Sequence, residues 1–201
     1  MIIGYSGHAY VCIDSALSSG IEIQGYFEEK SKEKNPYGLK FLGSEVGYNF
    51  SNLDASVKLF VSIGSNILRS KVSQKIPAQK LTNIIHQSSI ISPTVKLGQG
   101  ILISSGAIVN SMVEIANGVI LNSGSIVEHE CKIGSFSHIA PGAVLAGSVE
   151  VGSCTMIGAN AVVKEGVKIG NSVMVGAGAV VVKNIDDGGL VAGNPAINLK
   201  K

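Results

Sequence analysis

Residues 120–147 read ILNSGSIVEHECKIGSFSHIAPGAVLAG, and an aliphatic residue returns every six positions: Leu121, Val127, Ile133, Ile139 and Leu145. The beat runs on in both directions. From Ile91 to Val181, sixteen positions spaced by six are all Ile, Leu or Val, with no insertion. A helix repeats at about 3.6 residues and a strand at about 2, so neither produces this spacing alone. A fixed period of this kind predicts stacked structural repeats.

Two further columns fill in the unit. Four places after each aliphatic the residues are small or β-branched, as at Ala107, Val119, Ser125, Cys131, Ser137, Ala143 and Thr155. A narrow interior requires this. Three places after each aliphatic, Gly occurs seven times (100, 106, 118, 124, 142, 166, 178) and Asn twice (160, 184). Both tolerate positive φ, so this column predicts a corner. The pattern resembles the hexapeptide-repeat acyltransferases over roughly residues 88–196. Those proteins fold as a left-handed parallel β-helix with three hexads per coil. The hand is implied by the resemblance, because ordinary parallel crossovers are right-handed.

With three hexads per coil, residues 18 apart stack, and the outward residue before each aliphatic sorts into three ladders. One alternates in charge: Lys96, Glu114, Lys132, Glu150, Lys168, Asp186. The second is Leu102, Ile120, His138, Met156, Met174, and the third is Ile108, Ile126, Val144, Val162, Val180. A soluble protein rarely exposes two apolar faces, so both are expected to be buried against partners. A three-fold ring that packs one apolar face on the other face of a neighbour closes on itself, which predicts a homotrimer.

Within the opening stretch, IVEHEC (126–131) is the chemically richest part. Read alone, it admits a base with an orienting acid, a nucleophile with its base, part of a metal site, or a surface patch. The register separates these. Val127 and Cys131 point inward, Ile126 faces outward, and His129 with Glu130 occupies a corner between the third face and the charged face. Glu130 stands where other corners favour Gly or Asn, and a local rule broken at one corner marks a functional candidate. Cys131 reads as a packed interior thiol. The metal signal is weak, because His129, Glu130 and His138 lack ligand-motif spacing. His138 is the one polar member of the two apolar ladders. It is either a tolerated interface histidine or a site residue, and the predicted ring brings it towards His129 of the next chain.

Bulk properties narrow the class. The 201 residues carry a net charge of +2, only 5% aromatics and no Trp, which argues against a nucleic-acid partner. The three cysteines are odd in number and form no CxxC pair, fitting a reduced cytosolic protein. No leader-like start and no apolar run of about 18 residues is visible, so the chain is expected to be soluble and cytoplasmic, without a membrane span. Twenty-five glycines with 45% hydrophobic and 15% charged residues suit a regular β architecture with many tight turns.

Before the repeat, MIIGYSGHAYVCIDSAL gives a very short apolar run, a Gly4-x-x-Gly7 turn and helix-like spacing. KLFVSIGSNILRSKVSQKI repeats the layout, with a strand expected at 58–63, a turn at Gly64 and a helix at about 66–76. IEIQGYFEEKSKEKNPYG reads as a second strand and an exposed charged loop, and residues 77–90 as a link. Such units predict a small doubly wound α/β domain, whose glycine turns and helix N-termini offer N–H groups to phosphate. The expected division is a Rossmann-like domain over 1–84 and a β-helix with a C-terminal tail over 85–201.

GYSGH followed by a hexapeptide repeat carrying VEHECKIGSFSHIAPG resembles the bacterial nucleotide-sugar acetyltransferases over essentially the whole chain. The similarity is greatest to UDP-4-amino-sugar N-acetyltransferases of the bacillosamine type, with sialic acid O-acetyltransferases as relatives. The resemblance implies acetyl-CoA as cosubstrate, a UDP-amino sugar as acceptor and no metal. It implies His129 as general base with Glu130 as its polarising partner, a task that suits an imidazole near neutral pH. It makes His138 an acetyl-CoA contact and the Gly147 N–H a donor to the thioester oxygen. Gly147 also follows His129 by 18 residues, one coil above it at the same corner. By the same resemblance Asn122 contacts the sugar, and Ser6, Gly7, His8 and Gly64, with Glu28 and Glu29, hold the nucleotide. CoA then runs past Ala159 and Ala177. One departure stands in VAGNPAINLKK: Ile197 replaces the usual Lys, leaving Lys200 or Lys201 to contact phosphate. The competing readings are O-acetylation of a sialic acid or related sugar, and a non-catalytic nucleotide-sugar-binding scaffold.

Overall fold

A computed structural model describes residues 1–199, so the expected phosphate contacts of Lys200 and Lys201 lie outside the described residues. The chain begins with an all-parallel sheet in the order β3-β2-β1-β4, made of β1 (Ile2–Ile3), β2 (Gly25–Phe27), β3 (Lys40–Gly43) and β4 (Phe60–Val61). Successive strand residues point to opposite faces, and here they feed two cores. Ile2, Tyr26 and Phe60 pack with Ala9, Cys12, Ile13 and Ala16 of α1 (Gly7–Ser18). Ile3, Phe27 and Val61 pack with Val72 of α2 (Asn66–Ser73) and with Phe50 and Ile76. The sheet is thus covered on both sides, as a doubly wound domain requires.

The elements are shorter than their sequence signals. The strand expected at 58–63 is Phe60–Val61, and the helix expected to reach 76 stops at Ser73. Strand β3 has no counterpart in the sequence pattern. It adds to β2 after a charged, exposed loop. The stretch 77–90, expected as a link, already contains two β-helix strands. Ile84–Ile85 pairs with Leu102–Ile103, and Ile90–Ile91 with Ile108–Val109. The repeat therefore starts one step earlier, at Ile85. What remains of the link is held by Lys80, whose buried ammonium donates to the Leu53 and Asp54 carbonyls at 2.8 and 2.6 Å.

The three-sided coil follows the predicted register. Ile126 pairs with Val144, His138 with Met156 and Glu114 with Lys132, each across 18 residues. The three sheets hold five, eight and six strands. The inward columns are buried from Ile101 to Ala179. At about 1.5–3 kcal/mol per fully buried aliphatic side chain, this column is the principal stabilising element of the coil. Two of its polar members are satisfied internally: Ser137 Oγ donates to Gly152 O at 2.6 Å and Thr155 Oγ1 to Gly170 O at 2.7 Å. Lys96–Glu114 and Glu150–Lys168 ion pairs, at 2.8 and 3.1 Å, line the exposed charged face. After Val181 the register slips by two, Met174 pairing with Leu190, and an antiparallel strand Ile197–Asn198 ends the stack.

The corner column is left-handed throughout, from Gly100 to Gly178, but ends before Asn184. Glu130 has φ 61°, and Met112, Phe136, Ser148, Cys154 and Ser172 also have positive φ. Glu130 is therefore not a singular exception, and corner strain does not by itself single it out.

The outward ladders are only partly open to partners. Their pattern leaves the second face awaiting a partner along its length. Instead Ile84, Leu102 and Ile120 share a core with Ile2, Tyr5, Ala9 and Tyr26, so the chain covers the lower half of that face with its own α/β domain. Met174 higher up, and Ile90 and Val162 on the third face, stay exposed, Ile90 at 64%.

Candidate active site

The residues singled out in the sequence form two separate clusters. The first lies where the α/β domain meets the second face. Ser6 caps α1 with extended backbone and makes no side-chain capping bond, leaving the first-turn N–H groups at the positive end of the helix dipole. Ser6 and Gly7 are exposed. Glu28 Oε2 accepts from the Tyr5 N–H at 2.9 Å and pairs with Lys32 at 3.5 Å, so it braces the β1–α1 turn, while Glu29 is exposed. His8 reaches from α1 towards the coil. A Cβ added to Gly64 would stand 3.6 Å from the His8 ring, an ordinary contact, and the His8 and His138 ring centroids are 6.0 Å apart.

His138 is only 7% exposed, under the α/β domain rather than on an open face. Asn122 Nδ2 lies 3.0 Å from its Nε2. The Ser123 N–H donates to Asn122 Oδ1 at 2.8 Å, which fixes the amide orientation. Nδ2 can only donate, so His138 Nε2 accepts and the hydrogen sits on Nδ1. Burial drives the His138 pKa down to about 3, helped by Arg69 and His8, and burial with Arg69 takes His8 down to about 4. Both imidazoles are neutral at physiological pH.

The second cluster sits at the corner between the third and charged faces. His129 Nδ1 is 3.2 Å from Glu130 Oε2, with the side chains 60% and 65% exposed. Gly147, one coil above, lies under the imidazole: a Cβ there would fall 2.6 Å from His129 Cε1 and 2.7 Å from Nε2. Glycine is thus required at 147 for space, not for its dihedral. Among the described residues the Gly147 N–H donates to no group of the chain. Within one chain, and among the described residues, no hydrogen bond or ring contact joins this corner to His138. Ala159 and Ala177 stack on a third corner, in one column with Ser123 and Pro141 beside Asn122.

Arg69 carries no signal in the sequence pattern. It is 1% exposed, yet donates six hydrogen bonds, five to carbonyl oxygens and one to Asn66 Oδ1, and no carboxylate among the described residues pairs with it. An arginine on a short polar helix reads as solvated, and only the docking of α2 on the coil reveals otherwise. Ile197 is 64% exposed on the closing strand. Among the described residues no group of three or more His, Cys, Asp or Glu stands close enough to hold a metal, and no helix is long and apolar enough to cross a membrane.

Comparison with known proteins places this architecture. Residues 1–76 match the PglD N-terminal domain and residues 148–183 the bacterial transferase hexapeptide (six repeats). The acetyltransferase domain of PglB from Neisseria gonorrhoeae, solved with acetyl coenzyme A, is 31% identical over 98% of this chain and 97% of that one, with a TM-score of 0.92. PerB from Caulobacter crescentus, solved with CoA and GDP-perosamine, is 35% identical over 99% and 96%, with a TM-score of 0.91. WeeI from Acinetobacter baumannii is 25% identical over 98% of both chains, with a TM-score of 0.86. An uncharacterized mimivirus protein is 33% identical over 101 residues, but the chain spans only 20% of its length. The fold is a Rossmann-like α/β domain followed by a left-handed parallel β-helix. The chain belongs to the nucleotide-sugar acetyltransferases of the hexapeptide-repeat family.

Proposed function

We propose that this protein is an acetyl-CoA-dependent N-acetyltransferase that acylates the 4-amino group of a UDP-linked 4-amino-4,6-dideoxy sugar. The observation that carries the reading is the His129–Glu130 pair seated over Gly147, with the Gly147 N–H available for an oxyanion. Glu130 holds the hydrogen on His129 Nδ1, which leaves Nε2 to accept a proton. The neutral sugar amine attacks the thioester carbonyl and forms the C–N bond. Charge develops on the carbonyl oxygen, where the Gly147 N–H stabilises it. Nε2 takes the amine proton, the C–S bond breaks, and the proton passes to the departing CoA thiolate. No acyl-enzyme is required, which agrees with Cys131 being buried, its thiol pushed up to about 11 chiefly by desolvation.

The uncapped α1 N-terminus at Ser6, Gly7 and His8, beside Gly64, suits the diphosphate of the nucleotide, and Glu28 and Glu29 suit its uridine end. Asn122 and His138 suit the sugar amine and the acetyl-CoA thioester, and the column through Ala159 and Ala177 suits the pantetheine arm. A homotrimer in the cytoplasm completes the reading. The exposed third face meets the uncovered upper part of the second face on a neighbouring copy, which brings His129 of one chain to the Asn122–His138 edge of another. The three free cysteines fit a reducing compartment.

A panel of UDP-, GDP- and dTDP-linked 4-amino sugars, with sialic acid, assayed with acetyl-CoA tests this. N-acetylation of a UDP-linked 4-amino sugar is expected. Turnover of the GDP-linked sugar alone refutes the UDP assignment and points to the acceptor seen with the Caulobacter relative. Acetylation of hydroxyls alone overturns the amine reading.

A further inference from the structure

Arg69 and Asn66 are three residues apart on α2 and therefore share a face. Together they touch three successive coils. Arg69 Nε donates to Gly118 O at 2.8 Å and Nη2 to Phe136 O at 2.8 Å, while Asn66 Nδ2 donates to Cys154 O at 3.2 Å and Thr155 O at 3.1 Å. Gly118, Phe136 and Cys154 are 18 residues apart and are corner positions with positive φ. The pair reads the β-helix repeat as a ruler, one corner carbonyl per coil. The other side of the guanidinium grips the α/β domain: Nη1 donates to Ile63 O and Gly64 O, both at 3.0 Å. Every guanidinium donor is used, and none meets an acid.

The Gly64 carbonyl is where this clamp meets the site. The Gly64 backbone also borders the His138 ring, whose buried Nδ1 has no hydrogen-bond partner among the described residues. Gly64 also packs on His8, at the N-terminus of α1. The position of one turn therefore sets the His138 ring, the His8 ring and the mouth of α1 at once.

We propose that Arg69, with Asn66, is a positioning residue for acyl transfer. By locking the Gly64 turn to three coils of the β-helix, it holds the Gly64 carbonyl beside the Nδ1–H tautomer that Asn122 selects and keeps the nucleotide end of the cleft at a set distance from Asn122. The inference rests on the active-site reading above only for its kinetic consequence. A lysine keeps the charge but cannot fork across Ile63, Gly64, Gly118 and Phe136. A shift of about an ångström at a positioning group costs up to about a hundredfold in rate.

The test combines nitrogen NMR of 15N-histidine-labelled free protein with steady-state kinetics of wild type, Arg69→Lys and Asn66→Ala. His138 in the wild type is expected as a single Nδ1–H tautomer at pH 6–7. Arg69→Lys is expected to show mixed tautomers, a fall in kcat/KM for the sugar of about 10- to 100-fold, and a KM for acetyl-CoA within about twofold of wild type. A purely structural clamp lowers the melting temperature and leaves the tautomer and kcat/KM as in the wild type, and that result overturns the proposal. If Arg69→Lys does not fold, Asn66→Ala decides: mixed tautomers with a loss of about fivefold support it, and wild-type behaviour overturns it. Failure of every sugar in the panel refutes the functional reading, while the tautomer measurement still decides the role of Arg69.

Discussion

Gly147 and His129 illustrate how one residue depends on another a full coil away. The His129 ring occupies the volume that a side chain at 147 would fill. Gly147→Ala must therefore displace the imidazole from the Glu130 carboxylate. The expected outcome is a loss in kcat/KM of about a hundredfold with little change in melting temperature, checked by kinetics and calorimetry. His138 offers a different measurement. Its neutral form is held in the fold, with a pKa near 3, whereas an unfolded imidazole titrates near 6.5. Below pH 6.5 the unfolded chain gains a proton that the folded chain refuses, so this stability is complete above pH 6.5 and is lost as pH falls. The slope is about 1.4 kcal/mol per pH unit for one such histidine. Between pH 6.5 and 5, above the carboxylate range, the melting temperature is expected to fall, and to fall less in His138→Asn. Equal slopes contradict the assignment.

At the scale of the element, the six-residue beat makes the coil legible in the sequence, because each hexad repeats the same demands: a buried aliphatic, a small interior residue, a left-handed corner. The α/β strands are harder to bound, since two- and three-residue strands such as Ile2–Ile3 and Gly25–Phe27 leave little room for a period. Gly and Asn mark the corner column, yet Phe136 and Met112 adopt the same φ, so backbone stacking outweighs residue preference there. Gly118 shows where the preference does bind. A Cβ at 118 would run into the Phe136 ring, and the φ is +66°. Gly118→Ala is expected to destabilise the protein by about 1–3 kcal/mol, more than Gly124→Ala, where open space surrounds the same conformation. Chemical denaturation of the two variants checks the order.

For the whole molecule, the sequence pattern overstates the apolar surface available to partners, because a linear pattern does not show that the α/β domain folds back on the coil. Leu102 and Ile120, which the ladders assign to an interface, are intramolecular core. The candidate site is legible in part for the same reason. The register alone places His129, Glu130 and Gly147 at one corner, while their roles rest on the family resemblance, and the Arg69 clamp depends on long-range docking of α2. The surviving exposed stripe carries the proposed assembly. Val162→Asp, on the third face and 41% exposed, is expected to shift the protein from trimer to monomer in sedimentation and to lower activity, since the proposed site spans two chains. A wild-type protein that sediments as a monomer at micromolar concentration contradicts the trimer.

The whole proposal turns on His129 accepting the proton of an acetylated sugar amine. The most direct measurement is kcat/KM for acetyl transfer to the accepted nucleotide-linked 4-amino sugar in wild type and His129→Ala, with the site of acetylation read by NMR of the product. An acetyl group on the 4-nitrogen and a loss of at least about a hundredfold in the variant are expected. A variant within about threefold of wild type, on the scale set by general-base catalysis, contradicts the role of His129.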